Sequence, residues 1–214
     1  MSANKKVQPL PSRAARKART RGAILEAAAD VFAGRGYDGG SLPDIAQRAG
    51  VNVPLIVYHF GSKRELWQAA VDHVYARFQT CQEEGLKAAA GLSGRAFFRA
   101  VIRASLRALV AEPRYMRILF QESVAASPRL TWLVETHQRQ MSDQTIALIE
   151  AAQAEGLIAK GDPAHLKYLV SGALSLPITF APEYEVLTGR SPLTPDALED
   201  HIDLCMAILF RGAE

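Results

Sequence analysis

One stretch of twenty residues, Ser41–Phe60, leaves this chain few options. Its polar and small residues fall where two short helices and a tight turn need them. Ser41 suits an N-cap, and Asp44 three residues on is placed to reach back to the freed amides. Pro43 falls in the first turn, where a missing N–H is tolerated. Ile45, Ala46 and Ala49 make one apolar stripe at helical spacing, and Gly50 follows as a left-handed stop. Asn52 caps a second helix, Pro54 opens it, and Ile56 with Phe60 supply its inward face. A helix-turn-helix asks for a small residue at the crossing (Ala46), a residue tolerant of positive φ in the turn (Gly50) and an aliphatic anchor (Ile56). Asn52, Val53, Pro54, Leu55, Tyr58 and His59 then face outward, on a helix shaped to enter a DNA major groove N-terminus first. An ordinary helical hairpin satisfies the same spacing and stands as the alternative.

Charge favours the first reading. Net charge is only +3, but of the 25 Lys and Arg seven lie in residues 1–21: Lys5, Lys6, Arg13, Arg16, Lys17, Arg19 and Arg21, with no carboxylate among them. The remainder holds 18 cations against 22 carboxylates, a net of −4. A basic arm on a slightly acidic body suits a polyanionic partner; the plainer reading is a solubilising tail, which fits residues 1–10. Cys81 and Cys205 are far apart and carry no CxxC spacing, as expected of buried thiols in a reducing compartment. No apolar run is long enough to span a membrane, and no signal-peptide core follows the basic N-terminus. A cytoplasmic protein is expected, with no cofactor and no metal.

The rest of the chain reads as helix. Residues 12–33 put Ile24, Leu25, Ala28, Val31 and Phe32 on one side, with Gly34 and Gly36 as the stop. Residues 34–39, Gly-Arg-Gly-Tyr-Asp-Gly, formally match G-x-G-x-x-G, but they follow a helix rather than a strand, so a nucleotide loop is excluded. Ser62 and Glu65 form a capping box for a long strut helix reaching about Ala90, with Lys63 at its mouth placed to grip a phosphate. Beyond it, helices are expected over about 95–111, 115–124, 128–155, 163–176 and 195–211, with 176–194 as a longer connection. The fold class is therefore all-α, with an N-terminal unit over 1–61 and a helical unit over 62–214.

Residues 13–66 resemble the DNA-binding region of the TetR family of bacterial transcriptional regulators. The likeness rests on Phe32-Ala33-Gly34-Arg35-Gly36-Tyr37, on Ser41 through Val51, and on Val57-Tyr58-His59-Phe60-Gly61-Ser62-Lys63-Arg64-Glu65-Leu66. It implies an N-terminal three-helix DNA-binding domain and a C-terminal domain for effector binding and dimerisation. It also implies phosphate contacts at Tyr58, His59 and Lys63, with Ser41 and Arg48 as further candidates. For His59 an intrahelical or capping role is the alternative. One departure concerns the start of the second helix. The family more often has Ser, a basic or small residue, Gly or Ala, then Thr or Ser where this chain has Asn52, Val53, Pro54 and Leu55. Base reading is then expected to lean on Asn52, on contacts of Val53, Pro54 or Leu55 with thymine methyls, and on DNA shape.

Two C-terminal stripes suit pairing with a second copy: Leu166, Leu169, Val170, Ala173, Leu174 and Ile178 on one helix, with small Gly172 allowing close approach, and Leu198, Ile202, Cys205, Ile208 and Leu209 on the last. The alternative is that they bury an intramolecular core. Dimerisation also follows from the DNA side, because a palindromic operator read in adjacent grooves needs a twofold pair. Candidate effector contacts are Arg103, Tyr115, Phe120, Gln121, Trp132, His137, Met141 and Tyr168, of a kind suited to an apolar or aromatic small molecule. For His137, Trp132 and Phe120 a place in the core is the competing reading. The function expected is a ligand-released homodimeric repressor. An activator or architectural binder without effector is the alternative, and a helical enzyme has no motif in its favour.

Overall fold

The computed structural model describes residues 12–211, which form eleven α-helices with no strand among them. Lys5, Lys6 and the rest of the proposed tail lie outside the described residues. Packing divides the chain between His73 and Val74, inside the fourth helix, whereas the sequence reading divides it at that helix's N-terminus.

In the N-terminal unit α1 spans Arg13–Gly39, α2 Leu42–Ala49, α3 Val53–Phe60, and α4 starts at Lys63. Gly34 does not stop α1. The helix continues because Ile24, Leu25, Ala28, Val31 and Phe32 are buried along it, and packing outweighs one glycine's propensity. The break comes at Gly36, whose φ of 71° and ψ of 175° leave the helical region. Gly40 is needed for space: a Cβ there would stand 2.9 Å from the Phe32 ring. α2 is capped by Ser41, whose Oγ accepts from the Asp44 N–H at 3.2 Å. The Asp44 carboxylate does not complete the expected capping box; it pairs with Arg35 at 2.8 Å. Gly50, at φ 67°, turns the chain into α3, which Asn52 caps by accepting the Leu55 N–H at 3.0 Å. Ser62 accepts the Glu65 N–H at 3.2 Å and donates to its carboxylate at 2.7 Å, so the start of α4 is closed locally.

The C-terminal unit begins with the remainder of α4, which ends at Leu86 in a 3₁₀ turn, Lys87–Ala89. Then come α5 (Gly94–Ala111), α6 (Arg114–Ser123), α7 (Pro128–Leu133), α8 (Arg139–Ala154), α9 (Pro163–Thr179), α10 (Ala181–Thr188) and α11 (Pro195–Leu209). α5 packs on α9 and α11, α8 on α9, and α11 on α9. Two expectations are corrected. Residues 176–194 are largely helical: α9 carries Pro177 within its last turns, and α10 begins with Pro182 in its first turn. The helix expected over 128–155 is interrupted by a π turn at Val134–Gln138. Ion pairs tie the helices: Arg103 reaches Glu199 at 2.6 Å beside an Arg99–Asp203 pair, and buried Glu112 takes Arg77 at 2.9 Å and Arg114 at 2.6 Å.

Gly50 has nothing near its missing Cβ, so only its backbone conformation demands glycine. Gly50→Ala is expected to lower stability in urea unfolding by about 1–2 kcal/mol, and Gly50→Asn by less, since asparagine visits the left-handed region more readily.

Candidate nucleic-acid interface

α3 owes its orientation to Ile56 and Phe60, which are buried, and so it turns its other side outward. Tyr58 is 68% exposed and Val57 46%; Asn52 and Pro54 are exposed; Val53, Leu55 and His59 are half-buried. Val57 was not among the residues picked out by sequence; the 100° step from Val53 and Pro54 was the signal that placed it on this side.

Cations line the edges of α3. The Lys17 ammonium lies 5.5 Å from the Tyr58 ring centre and the Arg21 guanidinium 5.0 Å from that of Phe60. Lys63 stands over Tyr37 at 4.6 Å and within 3.5 Å of the Asp38 carbonyl. Burial, then Lys17 and Arg21, hold the His59 imidazole below its ordinary pKa. A phosphate at that edge would act in the opposite sense and favour the imidazolium. Ser41 and Arg48 sit on α2, both engaged: Ser41 in the cap, and Arg48 with Asp30 through Nε at 3.1 Å and Nη2 at 2.7 Å. Such exposed pairs are worth about 1 kcal/mol or less, so Arg48 is readily exchanged for a phosphate partner.

The candidate effector residues do not form one group. Tyr115, Trp132 and His137 come together, joined by Tyr75, Phe78 and Gln138, which the sequence reading missed. Tyr115 stacks on Phe78 at 4.0 Å and meets Tyr75 edge-on at 4.8 Å. His137 lies 4.5 Å from the Tyr75 ring and 5.5 Å from Trp132. The wider π turn makes that second contact, since it brings residues five apart onto one side, where an α-helix would separate them. Gln138 donates through Nε2 to the Tyr75 hydroxyl at 2.7 Å and the Tyr115 hydroxyl at 3.1 Å. Burial pushes the pKa of both phenols up, so they stay neutral. Met141 is half-buried on the following helix. Four others stand apart. Arg103 is held by Glu199, Gln121 is exposed, Phe120 sits by Phe180 at 5.9 Å, and Tyr168 is exposed beneath Lys167.

Of the pairing residues, Leu198, Ile202 and Cys205 are buried within the single chain, whereas Ile208 of the same helix is exposed. Leu166, Val170, Leu174 and Leu209 are half-buried, while Leu169 and Ala173 are exposed. The opposite side of α11 exposes Leu204 (57%) and Ile208 (72%). Among the described residues no three His, Cys, Asp or Glu gather to hold a metal ion, and no helix is long and apolar enough to cross a membrane.

Residues 24–70 match the family model of bacterial regulatory proteins, tetR family. The HTH-type transcriptional regulator RutR of Escherichia coli K12 is 29% identical over 173 residues, 79% of this chain and 78% of RutR. The HTH-type transcriptional activator FasR of Mycolicibacterium smegmatis is 28% identical over 129 residues, 60% of this chain and 58% of its own. In fold, the chain is similar to a TetR-like transcriptional regulator from Rhodococcus sp. RHA1, with a TM-score of 0.64, 24% identity, and coverage of 93% and 97% of the two chains.

Gln138 is the polar centre of the buried aromatic cluster. Gln138→Leu should cost about 1–3 kcal/mol in thermal or urea unfolding, because two buried hydroxyls lose a partner, and adding Tyr75→Phe should restore part of it.

Proposed function

We propose, for a chain that belongs to the TetR family of bacterial transcriptional regulators, that it is a cytoplasmic homodimeric repressor released from a palindromic operator by a small molecule. The observation that carries this reading is the outward side of α3, apolar in the middle and flanked by Lys17, Arg21 and Lys63. A short helix of that kind fits a major groove, with the flanking cations and Tyr58 and His59 on the phosphates. Ser41 and Arg48 are secondary phosphate contacts.

Dimerisation rests on the exposed apolar row of Leu169, Ala173 and Leu176 on α9 and of Leu204 and Ile208 on α11. Such a row against water favours association with an identical row. A dimer seated on a promoter excludes other proteins from it without needing a further contact surface, which makes repression the simpler outcome. Activation is the second reading, favoured by the name of the relative FasR. The effector proposed is an apolar or aromatic small molecule held near Tyr115, Trp132, His137 and Met141. Binding there would act through α4, which starts at Lys63 beside α3 and carries Tyr75. A change in its tilt alters the spacing of the two recognition helices, which has to match one helical turn of DNA.

Fluorescence anisotropy with duplexes selected from a random pool tests this. Affinity should fall steeply with salt, and Lys63→Ala should reduce the slope of log affinity against log salt by about one. Ile208→Glu should yield monomers by analytical ultracentrifugation and weaken operator binding. Aromatic compounds that stabilise the protein in a thermal-shift screen should lower its DNA affinity; saturation without that change would overturn ligand release.

A further inference from the structure

We infer that α3 recognises its site through the 5-methyl groups of thymine, so that its half-sites carry T·A pairs where Pro54, Leu55 and Val57 meet the groove. This rests on the DNA-binding reading above and goes further in stating which base edge is read. The eight residues of α3 are Val-Pro-Leu-Ile-Val-Tyr-His-Phe, with no Arg, Lys, Asn, Gln, Ser, Thr, Asp or Glu. The pairings that identify guanine (Arg or Lys on O6 and N7) and adenine (Asn or Gln on N6 and N7) are therefore closed to this helix.

The polar groups nearest its N-terminus are already engaged. The Asn52 side-chain oxygen accepts the Leu55 N–H at 3.0 Å, which fixes the amide as the helix cap and commits one of the oxygen's two lone pairs. Ser41 Oγ accepts the Asp44 N–H at 3.2 Å, and Arg48, paired with Asp30 at 2.7 Å, lies on α2 and is assigned above to a phosphate rather than to a base edge. What remains toward the groove is Pro54, exposed; Val53 and Leu55, half-buried; and Val57, 46% exposed. Tyr58 beside them is drawn to the edge of the helix, its ring 5.5 Å from the Lys17 ammonium. Thymine is the one base that offers an apolar group in the major groove. Against this surface a G·C pair would lose hydration from its polar edge with no donor or acceptor in return, whereas a thymine methyl is removed from water. Val57 is thereby assigned a specificity role beside Pro54 and Leu55.

The test uses the full chain and duplexes enriched from a random pool. Each thymine of the enriched site is replaced singly by uracil, which keeps the base pair and removes the methyl. At the contacted positions each replacement should weaken binding about fourfold, the transfer cost of one buried methyl group. Replacement elsewhere in the duplex should leave affinity unchanged. Val57→Ser, which touches neither Ile56 nor Phe60, should shrink the thymine-over-uracil preference at one position of each half-site and leave it at the others. Tight binding that ignores uracil throughout both half-sites would overturn this inference and leave the repressor reading intact. Failure to enrich any duplex at low salt would overturn both.

Discussion

Two side chains decide what the rest of α3 is free to do. Ile56 is 1% exposed and Phe60 8%, and each contributes about 1.5–3 kcal/mol by leaving water. No contact on the outward side is worth as much, so the helix cannot roll to present a different set of residues. Arg21 lies over the Phe60 ring and Lys17 over Tyr58, which keeps positive charge at the rim of the face. The same two anchors that fix the helix thus determine that its middle is apolar and its margins cationic.

α2 is held in a different way. Arg35 with Asp44 and Arg48 with Asp30 link it to α1 across exposed surface, and such pairs set position more than they add stability. They also cancel charge. The positive field near α3 therefore comes from α1 and from the mouth of α4, and a polyanion would meet it from the sides.

Much of this was legible in sequence, and the reasons are local. Ser41, Asn52 and Ser62 were readable as caps because a capping side chain bonds an amide three residues away. Gly50 was readable because a helix stop with positive φ favours glycine. What was hidden depended on distant partners. Gly34 looked like a stop, but the buried side of α1 carries the helix to Gly36. The ion pair of Arg103 forms with Glu199, 96 residues along the chain. α11 is apolar on two sides, through Ile202 and Cys205 inward and Leu204 and Ile208 outward, so periodicity could not say which was core. Gln138 gave no sign of its importance, because the turn that aims it at Tyr75 and Tyr115 is not α-helical.

That π turn has an effect on everything after it. One surplus residue between 134 and 138 resets the phase of the following helix by about a hundred degrees. Ile149 and Ala152, both interior, lie on the helix whose phase the turn sets. Excising any one residue from the turn would let it close into a regular coil and would swing both toward solvent. Along this segment the number of residues carries structural information that their identities do not.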